Sequence, residues 1–401
     1  MIDYGEALRE VVARARPLAG ESVPLAKALG RTLARDIRAG ENIPPFSKAT
    51  MDGYAVRAAD TGPASGGGAA EFDVTEDLPA GRVSRRPLRP GEAARIMTGA
   101  PLPKGSDAVV MVEDTERAGG RVRILRPASP GDNIGESGED VRKGDLVLER
   151  GNVIGPAEVG MLAALGHATA WVARRPTVAV IATGDEIVEP GQKARRGQIR
   201  NSNGHALLAV SLQAGAAAAY LGIARDSSAS LERKIRRAER ADILVLSGGV
   251  SVGDYDLVKN GLGDEGVRPV FWQVRIKPGK PTFFGVRGRQ LVFGLPGNPA
   301  SALVTFHLFV RPAVDRMLGR KTIGLRAGKA VLGQTVTMKP GRTQFLRAAA
   351  AGDGPELRVI PDPDQKSGVL RSMVRSRVLI MVRAEVTRID EGRTVDVLFI
   401  D

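Results

Sequence analysis

Residues 243–256, Ile-Leu-Val-Leu-Ser-Gly-Gly-Val-Ser-Val-Gly-Asp-Tyr-Asp, bring together the residue types that handle phosphate. Gly248, Gly249 and Gly253 open backbone angles closed to other residues, so successive N–H groups can turn inward and cradle an anion. Asp254 and Asp256 oppose that purpose unless a cation stands between them and the anion, which makes a phosphate–metal pair the economical reading. A tight strand-to-helix turn would use the same glycines, and the loop alone leaves both readings open. The four apolar residues 243–246 in front of it read as a buried strand.

From residue 176 strands and helices alternate. Residues 177–181 form a strand that runs into Thr183-Gly-Asp-Glu, and residues 201–213 form a helix capped by Asn201 or Ser202 and stopped at Gly215. A second strand over 218–224 ends at Arg225-Asp226, followed by an arginine-rich helix over 229–240. Residues 291–293 make a further strand, which leads through Gly294-Leu-Pro-Gly-Asn-Pro into an apolar helix from Ala300 to about Met317. Pro299 suits the first turn of that helix. This order demands a parallel sheet with helices on its faces. The loops that follow parallel strands share one edge, where such sheets bind ligands, so Asp185 with Glu186, Asp226, the 247–256 loop and the 294–299 loop converge. Lys277 and Lys280 flank a Pro-Gly turn and would hold positive charge near that edge, although lysines in turns are more often simply solvated.

Elsewhere the pattern is mixed. Residues 3–19 read as a helix with Asp3 at its N-cap and Ala7, Leu8, Val11, Val12 and Ala15 on one face, and residues 25–33 repeat that pattern. Two prolines force an extended entry into Asp52-Gly53, a turn dipeptide followed by an alternating strand; Asp52 is explained as a turn residue without further context. The loop 60–68, rich in Gly, Ala and Ser, is expected to be mobile. Short alternating runs at 72–75, 93–97, 108–113 and 121–125 make residues 68–150 β-rich, with an acidic turn cluster at 133–145 and a short helix over 156–166. Residues 326–401 return to β texture, with strands at 331–338, 356–360, 378–386 and 394–400, as in a small barrel or sandwich. Arg342, Arg347, Lys366 and Ser367 fall in or near its turns.

Composition bounds the function. A chain of 401 residues accommodates several cores, and 43% hydrophobic with 26% charged residues is ordinary for a soluble globular protein. The net charge of +13, mostly scattered arginine, attracts phosphates; with aromatics at only 4%, stacking platforms for nucleic acid are scarce and no nucleic-acid role is expected. With no cysteine, disulfides, thiolate metal sites and a cysteine nucleophile are excluded. His167, His205 and His307 lack ligand spacing, and the last two are expected to pack within helices. The acidic N-terminus is unlike a signal peptide and no apolar stretch is long enough to span a membrane, so a cytoplasmic location without membrane contact is expected.

The set Met51-Asp-Gly-Tyr-Ala-Val, Ile96-Met-Thr-Gly-Ala-Pro, Gly138-Glu-Asp, Thr183-Gly-Asp-Glu, Ser247-Gly-Gly-Val-Ser-Val-Gly-Asp-Tyr-Asp, Lys277-Pro-Gly-Lys-Pro and Gly294-Leu-Pro-Gly-Asn-Pro closely resembles the molybdopterin molybdenumtransferase family, which comprises bacterial MoeA and the C-terminal domain of gephyrin. The likeness spans essentially the whole chain. It implies a multidomain α/β plus β protein: an elongated linker and dimerisation domain over 1–45 and 140–175, a β-rich insert over 46–139, a parallel-sheet α/β molybdopterin-binding domain over 176–325 and a small C-terminal β-barrel over 326–401. The implied reaction inserts molybdate into adenylylated molybdopterin with metal-dependent cleavage of the pyrophosphate link, releasing AMP, and the implied cation is magnesium. A homodimer would share each active site between subunits, with transient contact to a molybdopterin adenylyltransferase.

By resemblance, Asp52 and Thr98 would be catalytic and would face the cleft from the partner subunit, with Asp140 beside them. Glu186 and Asp256 would serve catalysis and the metal, with Asp226 on the same edge. Ser247, Gly248, Gly249, Ser251, Asp254, Lys277 and Lys280 would bind substrate, Pro296 and Pro299 would shape a loop, and Arg347 and Ser367 would reach in from the C-terminal domain. Gln273 stands where a basic residue often follows the aromatic pair, and Arg275 could take over that anion contact. A molybdopterin adenylyltransferase shares the glycine-rich loop but is normally a lone α/β domain; a non-catalytic molybdopterin-binding scaffold is the other alternative.

Overall fold

The computed structural model describes residues 1–249, 257–352, 354 and 357–400. They form two compact units, one of residues 36–149 and 156–168, the other of 1–35, 150–155 and 169–401.

The first unit is built on a six-stranded sheet of β1 (Gly53–Val56), β2 (Ala70–Leu78), β3 (Glu92–Ile96), β4 (Ala108–Met111), β5 (Thr115–Ala118) and β6 (Arg121–Ile124), in the order β4-β1-β3-β2-β6-β5. The expected alternation of β1 is absent because both of its faces are covered: Tyr54 and Val56 enter one core and Ala55 another. Gly53 is obligatory at its start, since a Cβ there would lie 1.9 Å from the Val110 carbonyl oxygen. The 60–68 loop forms 3₁₀ turns anchored by Thr61, whose hydroxyl donates to the Ala58 carbonyl at 2.7 Å.

In the second unit, α1 (Tyr4–Arg14) buries Ala7 and Val11 and is shorter than expected, ending before Pro17. Asp3 occupies the N-cap position without a capping bond, its carboxylate facing Arg275 at 3.5 Å instead. Residues 25–33 form only a 3₁₀ turn at Leu25–Lys27. The first unit contributes α2 (Pro156–Ala164), closed by Gly166 at φ +79°.

The α/β sheet consists of β7 (Thr177–Thr183), β8 (Ala217–Ala224), β9 (Ile243–Ser247), β10 (Arg268–Phe271), then, after a two-residue strand β11 (Ile276–Lys277), β12 (Phe283–Arg287) and β13 (Gln290–Leu295). Its order is β8-β7-β9-β13-β12-β10. The four strands β8, β7, β9 and β13 are parallel, but β12 and β10 add an antiparallel edge that the β-α-β pattern alone does not contain. Alternation along the strands divides the core. Val178, Val180, Ile243 and Val245 pack with α1, α3 (Asn203–Gln213), α6 (Pro299–Thr305) and α7 (Arg311–Met317); Ala179, Ile181, Leu244 and Leu246 pack with α4 (Ser228–Arg237) and α5 (Leu257–Asp264). The expected single helix over 300–317 is interrupted by a π turn at Phe306–Val310.

Strands β14 (Ala327–Leu332), β15 (Thr343–Ala351), β16 (Arg358–Pro361), β17 (Val378–Val382) and β18 (Thr394–Phe399) close a five-membered ring in the order β15-β16-β14-β18-β17, with β17 returning to β15. The barrel reading therefore replaces the sandwich. Strand β15 and helix α8 (Leu370–Arg375) are absent from the sequence expectation; β15 carries polar Gln344 and Arg347 at buried positions, which breaks the apolar pattern. Strand β11 pairs with β15 and ties the Lys277 turn to the barrel.

Candidate active site

The carboxyl ends of β7, β9 and β13 are stitched together by small residues. Gly248 takes φ +98°, and a Cβ on it would lie 2.8 Å from both oxygens of Thr183. Its N–H donates to the Leu295 carbonyl at 3.1 Å. Gly184, at φ +138°, lies under the carboxylate of Glu186, whose Oε2 would be 2.3 Å from a Cβ there. The first turn of α3 locks the edge: the Asn203 amide donates to Ser247 Oγ at 2.8 Å and to the Gly297 carbonyl at 2.7 Å. Asn203 is one of the site residues that sequence reasoning missed, with Arg200 beside it on the cavity lining. Its only signal is the Asn201-Ser-Asn203 run, which reads as a helix cap.

Around this edge opens a cavity of about 740 Å³. Glu186, Asp226, Ser247, Gly248, Gly249, Pro296 and Pro299 all line it, as the shared-edge argument expects. Asp226 and Asp185 exchange backbone-to-carboxylate hydrogen bonds at 3.2 Å in both directions, which ties the ends of β7 and β8. Ser251, Gly253, Asp254 and Asp256 lie outside the described residues.

A second cavity of about 540 Å³ shares Pro281, Pro296 and Asn298 with the first. Lys277, Lys280, Arg342 and Lys366 line it against one acid, Asp364, among the described residues. Ser367 lines it as well, and its hydroxyl accepts from the Asn298 amide at 2.9 Å.

Arg347 departs from expectation. It is fully buried on β15 and lines neither cavity; its guanidinium donates to Ser372 Oγ at 2.7 Å and to the carbonyls of Asp364 at 3.0 Å and Lys366 at 3.2 Å. Gln365 bonds both backbone groups of Arg347, so Arg347 anchors the segment that carries Lys366 and Ser367 rather than reaching a ligand. Arg275 is likewise not a lining residue, since it turns to Asp3.

In the first unit, Asp52 Oδ1 accepts from the Thr98 N–H at 2.7 Å and from its hydroxyl at 2.8 Å. These donors hold the Asp52 carboxyl below the usual aspartate value. Asp140 is exposed, its N–H bonded to the Ile43 carbonyl at 3.1 Å.

Fold and edge together define a multidomain α/β protein with a cavity at the carboxyl edge of its parallel strands, where such sheets bind ligands. Residues 2–166 match the MoeA N-terminal region (domain I and II), residues 179–316 a probable molybdopterin binding domain, and residues 329–400 the MoeA C-terminal region (domain IV). The chain is 35% identical to the molybdopterin molybdenumtransferase of Staphylococcus aureus strain N315 over 99% of its own length and 95% of the relative's. It is 36% identical to that of Bacillus subtilis strain 168 over 100% and 94%. The crystal structure of the molybdopterin biosynthesis MoeA protein from Pyrococcus horikosii superposes with a TM-score of 0.87 at 37% identity, covering 100% of this chain and 99% of that one. The chain belongs to the molybdopterin molybdenumtransferase family, MoeA type. It is thereby an enzyme of molybdenum cofactor biosynthesis, as its motifs imply.

Proposed function

We propose that this enzyme takes adenylylated molybdopterin and molybdate, cleaves the pyrophosphate link, releases AMP and leaves molybdenum on the pterin dithiolene. The observation that carries this reading is the adjacency of two unlike cavities. One has carboxylates and glycine turns, and the other gathers four basic side chains against a single acid among its described lining residues. Two substrates, one carrying a pyrophosphate and one a free tetrahedral anion, need that division. Lys277 and Lys280 with Ser367 would hold molybdate, and Ser251 would join them. Gly248 and Gly249 would let the pterin phosphate approach the backbone closely.

Glu186 and Asp226 offer hard oxygen donors, which fit magnesium, an ion that binds through one or two carboxylates and completes its shell with water and substrate phosphate. Glu186 and Asp256 would hold it, and when bound it would polarise the phosphoanhydride. Among the described residues no group of three or more His, Cys, Asp or Glu could hold a metal ion. The protein's share of the work is positioning and charge, which is most of what phosphoryl cleavage requires.

Asp52 and Thr98, with Asp140, would complete the site from the partner subunit of a homodimer. The four-domain division with boundaries near residues 45, 139, 175 and 325 belongs to the same reading, as do a cytoplasmic location and transient contact with a molybdopterin adenylyltransferase. Among the described residues no helix is long and apolar enough to cross a membrane. The test is AMP release from adenylylated molybdopterin by purified protein, with and without magnesium and molybdate. Glu186→Ala and Asp256→Ala should each abolish metal-dependent AMP release while circular dichroism stays unchanged; undiminished turnover in either variant rejects its assignment.

A further inference from the structure

The larger cavity presents an imbalance of charge. Glu186 and Asp226 line it, and Arg200 is the one cation among its described lining residues. Arg200 ends a strap. The chain leaves β7 through Ile187–Val188, runs out through Glu189-Pro-Gly-Gln-Lys-Ala-Arg-Arg-Gly-Gln, and returns as Ile199–Arg200, which pairs with the outgoing segment.

Both ends of the strap are clasped to one side chain on the sheet-edge strand β8. The Tyr220 hydroxyl donates to Glu189 Oε1 at 2.8 Å and accepts from the Asn201 amide at 2.6 Å. Asn201 Oδ1 accepts the Gly204 N–H at 2.9 Å, which fastens the same residue to α3. From α3, His205 Nε2 reaches Glu189 Oε2 at 3.4 Å, and its ring lies 5.1 Å from that of Tyr220. Burial, with the Glu189 carboxylate adding to it, raises the Tyr220 pKa well above the ordinary phenol value, so the hydroxyl is a firm donor at neutral pH. Arg200 Nε donates to the Pro190 carbonyl at 3.3 Å, committing one of its five N–H groups inside the strap.

We propose that Arg200 is a substrate-binding residue that pairs with phosphate oxygens of the pyrophosphate-linked substrate, and that Tyr220 and Glu189 are positioning residues that set Arg200 on the cavity wall. A guanidinium suits this place because its planar fork matches a phosphate, and because a polyanion entering beside two carboxylates needs a fixed counter-charge. The inference rests on the reaction proposed above for the choice of ligand.

The measurement is the dissociation constant of purified adenylylated molybdopterin, read by pterin fluorescence and therefore independent of turnover. Arg200→Ala should weaken binding about tenfold or more, the loss expected for one charge-assisted hydrogen-bonded pair. Arg200→Lys should recover part of the loss, since it keeps the charge without the fork. Tyr220→Phe should weaken binding several-fold in the native background and very little beside Arg200→Ala, because a residue acting through Arg200 has no further effect once Arg200 is gone. An unchanged dissociation constant for Arg200→Ala overturns the proposal; so does a Tyr220→Phe effect of equal size in both backgrounds, which marks a general structural loss. If the native enzyme binds the compound but never releases AMP, the reaction assignment fails while the Arg200 comparison stands. No binding by the native enzyme overturns both.

Discussion

At the scale of single residues, the site depends on side chains whose role is to hold backbone. Asn203 donates to both Ser247 Oγ and the Gly297 carbonyl, joining the two glycine-bearing loops. Removing it leaves the buried Ser247 hydroxyl without that donor and frees the Gly297 carbonyl, so Asn203→Ala should lower stability by about 1–3 kcal/mol in urea unfolding and depress kcat/KM. Asn203→Asp should do no better, because a carboxylate has no N–H to give. The Asp52–Thr98 pair makes a second prediction. The Thr98 N–H and hydroxyl depress the Asp52 pKa in the folded state, so the stabilisation they lend is present above the ordinary aspartate value and is lost as pH falls through the folded one. Thr98→Val deletes the hydroxyl and retains the N–H. The Asp52 carboxyl should then titrate at higher pH in a carbon-detected NMR experiment, and an unmoved midpoint would refute the hydroxyl's share.

At the scale of elements, the π turn at Phe306–Val310 places His307 in the core between α6 and α7, where burial, aided by Arg311, lowers its pKa to about 4. Because the folded value lies below the unfolded one, this histidine stabilises the fold fully above about pH 6.5 and loses that contribution as pH falls toward 4, by about 3 kcal/mol in all. His307→Phe should flatten that limb of the stability–pH curve, measured by urea unfolding at pH 7 and pH 4.5. A curve as steep as the native one would assign the acid sensitivity elsewhere. Helices and parallel strands were legible because each is a local statement. Apolar spacing, Pro299 at a helix start and glycines at helix ends place β7, β9, β13, α2 and α3 within a few residues. Strand β15 was not legible, since the burial of Arg347 depends on carbonyls of the 364–366 segment, some twenty residues away. The antiparallel pair β10 and β12 was hidden for a similar reason, being defined by partners and not by its own pattern.

At the scale of the whole molecule, Asp52 and Thr98 belong to one compact unit and Glu186, Asp226 and the two cavities to the other. The proposed sharing of each site between subunits has a direct consequence. Asp52→Ala and Glu186→Ala enzymes, each inactive alone, should on mixing and reassembly recover about a quarter of native activity, because half of the dimers are then mixed and each holds one intact site. No recovery, with mixed dimers verified by mass, would place both residues in a site built from a single chain.

By itself the sequence determined the family, the shared edge of the parallel sheet and several of the residues lining it. These follow from short motifs and from the rule that strand-following loops meet at one edge. Only the tertiary structure decided that Arg347 is an internal anchor, that Asn203 and Tyr220 hold the cavity wall, and that the cations gather in a cavity of their own. Those roles are fixed by hydrogen bonds between segments far apart in the chain, and a donor or acceptor carries no mark in the sequence of the partner that folding will bring to it.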